Sequence, residues 1–178
     1  MTWQGWLRGI TVLSLKDDYD FLKQVTSTAE QALALMLSVV RMIPSAFEAV
    51  KRGEWKSANF LRGHCLSQKI LGIIGYGRLG EMMGEYGHAL RMKVLAADPY
   101  KEIRVDYVDY IEQVSLTKLL RRTDIISIHV HLNDETRGML GRKEIAMMKE
   151  GAVVINTSRG TSSEELTNFL DFQLKLKK

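Results

Sequence analysis

Three glycines and one acid carry the first readable chemistry. The run Lys69-Ile-Leu-Gly-Ile-Ile-Gly-Tyr-Gly-Arg-Leu-Gly80 sets Gly75, Gly77 and Gly80 in G-x-G-x-x-G spacing, directly after the apolar residues Ile70, Leu71, Ile73 and Ile74. A run of that kind suits a parallel strand buried on both faces. The first glycine permits a tight turn out of the strand, the second lets the backbone approach a pyrophosphate, and the third allows close contact between strand and helix. A helix opening at about Leu79 turns its unbonded N–H groups and positive dipole end toward the phosphates. The next strand, Lys93-Val-Leu-Ala-Ala-Asp98, ends in a carboxylate eighteen residues after Gly80, close to the offset at which an acid reaches a ribose 2′-hydroxyl. An acid there repels a 2′-phosphate, so the expected dinucleotide is NAD rather than NADP, a preference tempered by Lys101 and Arg104 close behind. The competing reading is a glycine turn that binds nothing; the flanking strand, helix and acid-ended second strand favour the nucleotide.

The elements that must position these groups alternate from Lys69 onward. Strands are expected at Lys69–Gly75, Lys93–Asp98, Val105–Val108, Ile125–Val130 and Ala152–Thr157. Helices fall at Leu79–Leu90, Leu116–Arg121 and Arg142–Met148, with a last one at about Ser163–Phe172. The alternation predicts an α/β fold of Rossmann type, a doubly wound parallel sheet, which the resemblance given below implies is incomplete here at its C-terminal strands. Upstream, Ile10–Leu15 reads as a short strand and Lys16–Asp20 as a polar loop. Ser27 with Glu30 matches a capping box, and Ala29–Arg41 carries Leu33, Met36, Leu37 and Val40 on one face with Leu35, Val39 and Met42 beside it. A helix apolar on nearly all sides requires cover from more than one neighbour. Pro44 is expected to break or kink it, and Ser45–Arg52 continues as a second helical piece ending at Gly53.

With 178 residues, 46% of them hydrophobic, the chain can bury a real core as one domain with a short appendage. The longest apolar stretch, Ala29–Val40, is interrupted by Glu30, Gln31 and Ser38 and falls short of a membrane span. The start, Met1–Trp6, lacks the charged and apolar regions of a signal peptide, and the one cysteine, Cys65, cannot form an intrachain disulfide; a cytoplasmic protein is expected. The net charge of +4 is dispersed among acids, apart from Lys175, Lys177 and Lys178. That pattern fits a solvated tail and not a nucleic-acid surface, which needs a basic face with stacking aromatics.

The order of these parts resembles the D-isomer-specific 2-hydroxyacid dehydrogenases, in particular their phosphoglycerate-dehydrogenase-like branch, over roughly Arg8 to Leu170. Beyond the glycines, the likeness rests on Thr28-Ala-Glu-Gln-Ala-Leu-Ala-Leu-Met-Leu with Arg41-Met-Ile-Pro44, on Gly53-Glu-Trp55 and Leu61-Arg-Gly63, on Ile128-His-Val-His-Leu-Asn-Asp-Glu-Thr-Arg-Gly138, and on Met148 through Arg159-Gly160. The resemblance implies hydride transfer between NAD and a small 2-hydroxy or 2-oxo acid. It places Arg78 and Leu79 at the pyrophosphate, Asp98 at the adenosine ribose, His131 to Thr136 along a loop beside the cofactor, and Thr157 and Ser158 on the nicotinamide side. Arg159 becomes the catalytic arginine that holds the substrate carboxylate and polarises its carbonyl, a task suited to a planar, permanently charged guanidinium. Residues 1–25 would be a remnant of the substrate domain and its linker, and residues 26–178 the NAD-binding domain. The apolar helix from Thr28 would form a twofold homodimer interface.

Departures accompany the matches. The family's histidine acid/base and its orienting glutamate follow the catalytic arginine, and the chain stops at Lys178 before either; none of His64, His88, His129 and His131 fills that place. A positioned base is worth about 10² to 10⁴ in rate, so the chain alone is expected to bind NAD and turn over little. Arg91 stands where the family ends a helix with glycine, and His131 replaces a proline. Met1–Leu7 matches no family segment. Two alternatives stay open: a non-catalytic NAD-binding or sensing module, and a metal site of His129, His131 and Asp134, which lacks an orienting second shell of partners.

Overall fold

The computed structural model describes residues 18–54, 63–103 and 109–158. The expected strands at Ile10–Leu15 and Val105–Val108, the last helix at Ser163–Phe172, and Trp55, Leu61, Arg104, Arg159 and the terminal lysines lie outside those residues. Five strands, β1 (Ile70–Ile74), β2 (Lys93–Ala97), β3 (Ile111–Gln113), β4 (Ile125–Ile128) and β5 (Val153–Asn156), form one parallel sheet in the order β3-β2-β1-β4-β5. Among the described residues six helices accompany them: α1 (Tyr19–Gln24), α2 (Ser27–Val40), α3 (Ile43–Lys51), α4 (Arg78–Ala89), α5 (Leu116–Arg122) and α6 (Arg142–Met147). Successive crossovers run outward from β1 to β3, then restart on the other side of β1 at β4. The reversal makes a crevice at the carboxyl ends of β1 and β4, where doubly wound sheets take their ligands.

Both faces of the sheet are covered, which is why its strands read as continuous apolar runs. Leu71, Ile73, Val94, Ala96, Ile125 and Ile155 pack with Ala32, Met36 and Val40 of α2 and Met83 of α4. On the other face Ile74, Leu95, Ala97, Ile126 and Ile128 pack with Leu119 and Leu120 of α5 and Ile145 of α6. Burying one such side chain contributes roughly 1.5–3 kcal/mol, so these two layers fix the strand register. At the other end of the sheet Asp124 accepts the Ile70 N–H at 2.8 Å and pairs with Lys149 at 2.9 Å.

Several local expectations are corrected. The segment after Asp18 is a helix: the Asp18 carboxylate accepts the Phe21 N–H at 3.0 Å and caps α1. At α2 the cap residue is Thr26 rather than Ser27, and its hydroxyl bonds the Glu30 carboxylate at 2.5 Å in place of a backbone N–H. The break between α2 and α3 falls at Met42, which takes a left-handed φ of 56°, while Pro44 sits in the first turn of α3, where a missing N–H is harmless. The pair bends by 60°. β3 at Ile111–Gln113 is a strand that the sequence reading did not place.

Arg91 follows α4 with φ 58°, a left-handed conformation that disfavours any residue bearing a Cβ. Its side chain is exposed, so little is lost by removing it. Arg91→Gly is expected to stabilise the fold by about 0.5–1 kcal/mol, read as a higher urea midpoint at unchanged slope.

Candidate functional site

The glycine segment leaves β1 through Gly75, whose φ of 87° turns the chain sharply before α4 begins. A side chain at Gly80 would run into the Gly75 carbonyl, so the start of α4 can approach the strand end only because Gly80 has none. A Cβ at Gly77, by contrast, would meet nothing within 4 Å. The outer side of the turn is therefore open, and the first N–H groups of α4, from Arg78, Leu79 and Gly80, have no intrahelical carbonyl to bond. Together they offer a ready anion site at the end of a twelve-residue helix.

Asp98 is brought directly to this turn. One carboxylate oxygen accepts the Tyr76 N–H at 2.8 Å and the other the Tyr100 N–H at 2.9 Å. Each oxygen keeps a lone pair for a further donor, such as a sugar hydroxyl. Lys101 pairs with Glu81 of α4 and lies 5.3 Å from the centre of the Tyr76 ring, so its charge is engaged there. Across the carboxyl edge, the Tyr100 hydroxyl bonds the carboxylate of Glu135. The loop after β4 is held internally: Asn133 Oδ1 accepts the N–H groups of Glu135 and Thr136, and the Thr136 hydroxyl donates to the His131 carbonyl at 2.6 Å. His131 itself is exposed.

The Arg78 side chain points elsewhere. Its guanidinium donates to the carbonyls of Leu22 at 2.8 Å and Val25 at 2.5 Å, at the C-terminal end of α1. At the turn, Arg78 thus offers its backbone N–H, while its side chain ties α1 to the start of α4. Beyond β5, the Ser158 N–H and hydroxyl both bond Asn156 Oδ1, at 3.0 and 2.6 Å. Thr157 lies on the wall of an open cleft of about 390 Å³ shared with Ser27, Thr28, Gln31 and Leu35 at the start of α2. Sequence reading assigned none of those α2 residues to a site; the signal available was a polar Thr-Ser-Thr cluster opening an otherwise apolar helix.

His129 was likewise not assigned to cofactor binding. Its Nε2 lies 2.8 Å from the Ser127 hydroxyl, while its Nδ1 is buried without a hydrogen-bond partner among the described residues. Burial pushes its pKa down to about 4. Among the described residues no three His, Cys, Asp or Glu side chains gather to hold a metal ion, so His129, His131 and Asp134 do not form the cluster considered above.

The glycine turn, the helix start and the strand-end acid all lie within a stretch that a family comparison matches. The sequence model for the NAD binding domain of D-isomer specific 2-hydroxyacid dehydrogenases matches residues 33–171. The chain belongs to that family. Among relatives, the hydroxypyruvate reductase of Thermotoga maritima is 39% identical over 142 residues, covering 78% of this chain and 44% of the relative. The D-3-phosphoglycerate dehydrogenase of Methanocaldococcus jannaschii is 37% identical over 164 residues, 89% of this chain and 29% of the relative. The D-lactate dehydrogenase of Aquifex aeolicus, solved with NAD and lactic acid, superposes with a TM-score of 0.81 at 30% identity over 96% of this chain and 49% of its own. The chain thus spans less than half the length of these family members. NAD, the dinucleotide expected from the motif, is the cofactor of the matched domain.

The neutral, buried His129 sets a pH dependence. An unfolded histidine binds its proton at about 6.5 and the folded one only at about 4, so the unfolded state gains a proton first and stability falls as pH drops through this window. Glu112, held down to about 2 by hydrogen bonds from Arg122 and Lys118, gives up its share of stability only below about 4.5. Urea unfolding between pH 7 and 4.5 is expected to show a loss of about 2 kcal/mol, absent in His129→Gln.

Proposed function

We propose that this chain is the cofactor half of an NAD-dependent dehydrogenase that moves hydride between NAD and a small 2-hydroxy or 2-oxo acid. The observation that carries the reading is the Tyr76 N–H held on Asp98, which joins the phosphate turn to the sugar-binding acid in one rigid corner. Gly75, Gly77 and Gly80 shape the turn, and the amides of Arg78 and Leu79 face the diphosphate. Asp98 takes the adenosine ribose, and with Lys101 engaged by Glu81 the acid's preference against a 2′-phosphate is reinforced. The loop from His131 to Thr136 flanks the cofactor, and Thr157 and Ser158 line its nicotinamide side.

When bound, NAD supplies the hydride acceptor; the chain supplies placement. Arg159, one residue beyond the described segment, is proposed to hold the substrate carboxylate and polarise the carbonyl carbon's oxygen. In this reading residues 26–178 make the cofactor unit and residues 1–25 lead into it from the substrate-binding part. The guanidinium of Arg78 on the α1 carbonyls supports a fixed hand-over between the two. A cytoplasmic setting fits a chain with one cysteine. Among the described residues no single helix is long and apolar enough to cross a membrane.

A homodimer completes the proposal. Leu35 and Val39 of α2 and Ile43, Phe47 and Val50 of α3 follow one another at spacings of four or three residues and stand 37% to 61% exposed. Large apolar side chains left exposed along both α2 and α3 support an interface, and a twofold copy of the same helices would cover them. Sedimentation is expected to give a dimer for the wild type and a monomer for Phe47→Glu.

The cofactor reading is tested by NADH fluorescence titration of the 178-residue chain. Saturable binding is expected, with Gly77→Ala folding normally but binding at least 10-fold more weakly, because its methyl enters the space reserved for the diphosphate. A folded wild type that shows no saturation would overturn the reading.

A further inference from the structure

The helix α1 has little of its own to hold it. It is six residues long, too short to be stable in isolation, and no side chain from Asp20 to Gln24 is buried. The Asp18 carboxylate caps its start. Its other end is held from outside, where one guanidinium nitrogen of Arg78 donates to the carbonyls of Leu22 and Val25 at 2.8 and 2.5 Å. Val25 closes α1, so the guanidinium serves as a C-terminal cap supplied by a distant residue. Hydrogen bonds from a charged donor are roughly twice as strong as neutral ones, which makes this tie a principal hold on α1.

Arg78 is also the first residue of α4. A cation at that position stands at the positive end of a helix dipole, which disfavours it, whereas the last carbonyls of α1 carry partial negative charge and attract it. The side chain accordingly reaches acceptors 53 and 56 residues away in sequence, while its own backbone N–H remains one of the open donors of the phosphate turn. One residue therefore belongs to both places. We propose that Arg78 couples them: a diphosphate seated on the turn stiffens α1 through the guanidinium. The inference rests on the NAD reading above and gives this side chain a positioning role toward the lead-in segment, not a contact with the cofactor.

The coupling works through rigidity. The first residues of a helix fray readily, because their N–H groups have no intrahelical carbonyl. Each excursion of the Arg78 backbone moves the root of its side chain and loosens both bonds to α1. An anion on the N–H groups of Arg78, Leu79 and Gly80 fixes that backbone, so part of the ordering cost of the two bonds is already met when they form. α1 then opens less often. By linkage, an ordered α1 favours the occupied turn by the same factor. Two residues after α1 the chain enters α2, whose Ser27 and Thr28 border the cleft with Thr157, so the order of α1 also bears on that wall.

The test is hydrogen exchange at the Leu22 and Val25 amides, which bond the Asp18 and Leu22 carbonyls, with and without ADP at a concentration shown by calorimetry to saturate the 178-residue chain. ADP supplies the diphosphate. In the wild type it is expected to slow both amides about 5-fold. In Arg78→Met both are expected to exchange faster than in the wild type and to ignore saturating ADP, while the α5 amides keep their protection and report an intact fold. The sign of the wild-type response needs no variant. Faster exchange on adding ADP would mean that the guanidinium leaves α1 for the diphosphate, and it would overturn the coupling. So would an unchanged rate, an Arg78→Met chain that responds as the wild type does, or one that no longer binds ADP; each leaves the cofactor reading intact. A wild type that binds neither ADP nor NADH removes both.

Discussion

The hydrogen bond from the Tyr76 amide to the Asp98 carboxylate is the constraint on which the site depends. It joins the end of β1 to the end of β2 outside the ladder, at the point where the chain must leave the sheet. Without it, the left-handed turn at Gly75 and the first turn of α4 would share only backbone packing. With it, the open N–H groups of α4 and the free lone pairs of Asp98 keep one relative position before any ligand arrives. Preorganisation of that kind lowers the ordering cost of binding and helps explain how one short corner can grip a large, flexible dinucleotide.

The parallel register extends this local lock across the sheet. Because β1 separates β2 from β4, the carboxyl edge presents an acid, then a turn rich in free N–H groups, then His129 and Thr157. Unpartnered buried polar atoms are costly, about 1–3 kcal/mol each, and natural folds tolerate few of them. Here the two without a partner among the described residues, His129 Nδ1 and Thr157 Oγ1, both occur at the carboxyl edge, one residue past the ends of β4 and β5. Two neighbouring stretches of the same edge are bonded internally, the Asn133–Thr136 loop and the Asn156–Ser158 turn. The imbalance is local, and its location matches the topology's binding crevice.

Much of this was legible in the sequence because it depends on short-range rules. β1, β2 and β4 are apolar runs buried on both sides, and a two-sided buried strand has no polar alternation to confuse. The glycine spacing and Asp98 belong to one strand–turn–helix–strand unit, so their meeting is nearly local. Arg91 was marked by its place at a helix end, and the backbone there has the positive φ such a place requires. What escaped depends on tertiary partners. The docking of Arg78 on Leu22 and Val25 spans more than fifty residues, and no pattern near Arg78 announces it. The break at Met42 competes with Pro44, whose tolerance in a first helical turn makes it an ambiguous stop signal. β3 has only three residues and one buried apolar side chain, too little for periodicity to register. His129 and Thr157 are single polar residues just past strand ends, and only the ladder shows that they share one edge.

The helix α2 ties the two proposed surfaces of the molecule together. Ser27 and Thr28 of its first turn and Leu35 further along form one wall of the cleft beside Thr157, while Val39 near its other end stands exposed. Between them Ala29, Ala32, Met36 and Val40 are buried against α4 and the sheet. A fourteen-residue helix packed along one side behaves as a rigid lever. Covering its exposed end with a second copy would therefore restrain the turn at its other end, and the cleft with it. The proposed dimer and the nicotinamide side of the proposed cofactor site then share one element. That mechanical link follows from the placement of apolar and polar residues along a single helix, on which Leu35 belongs to both surfaces.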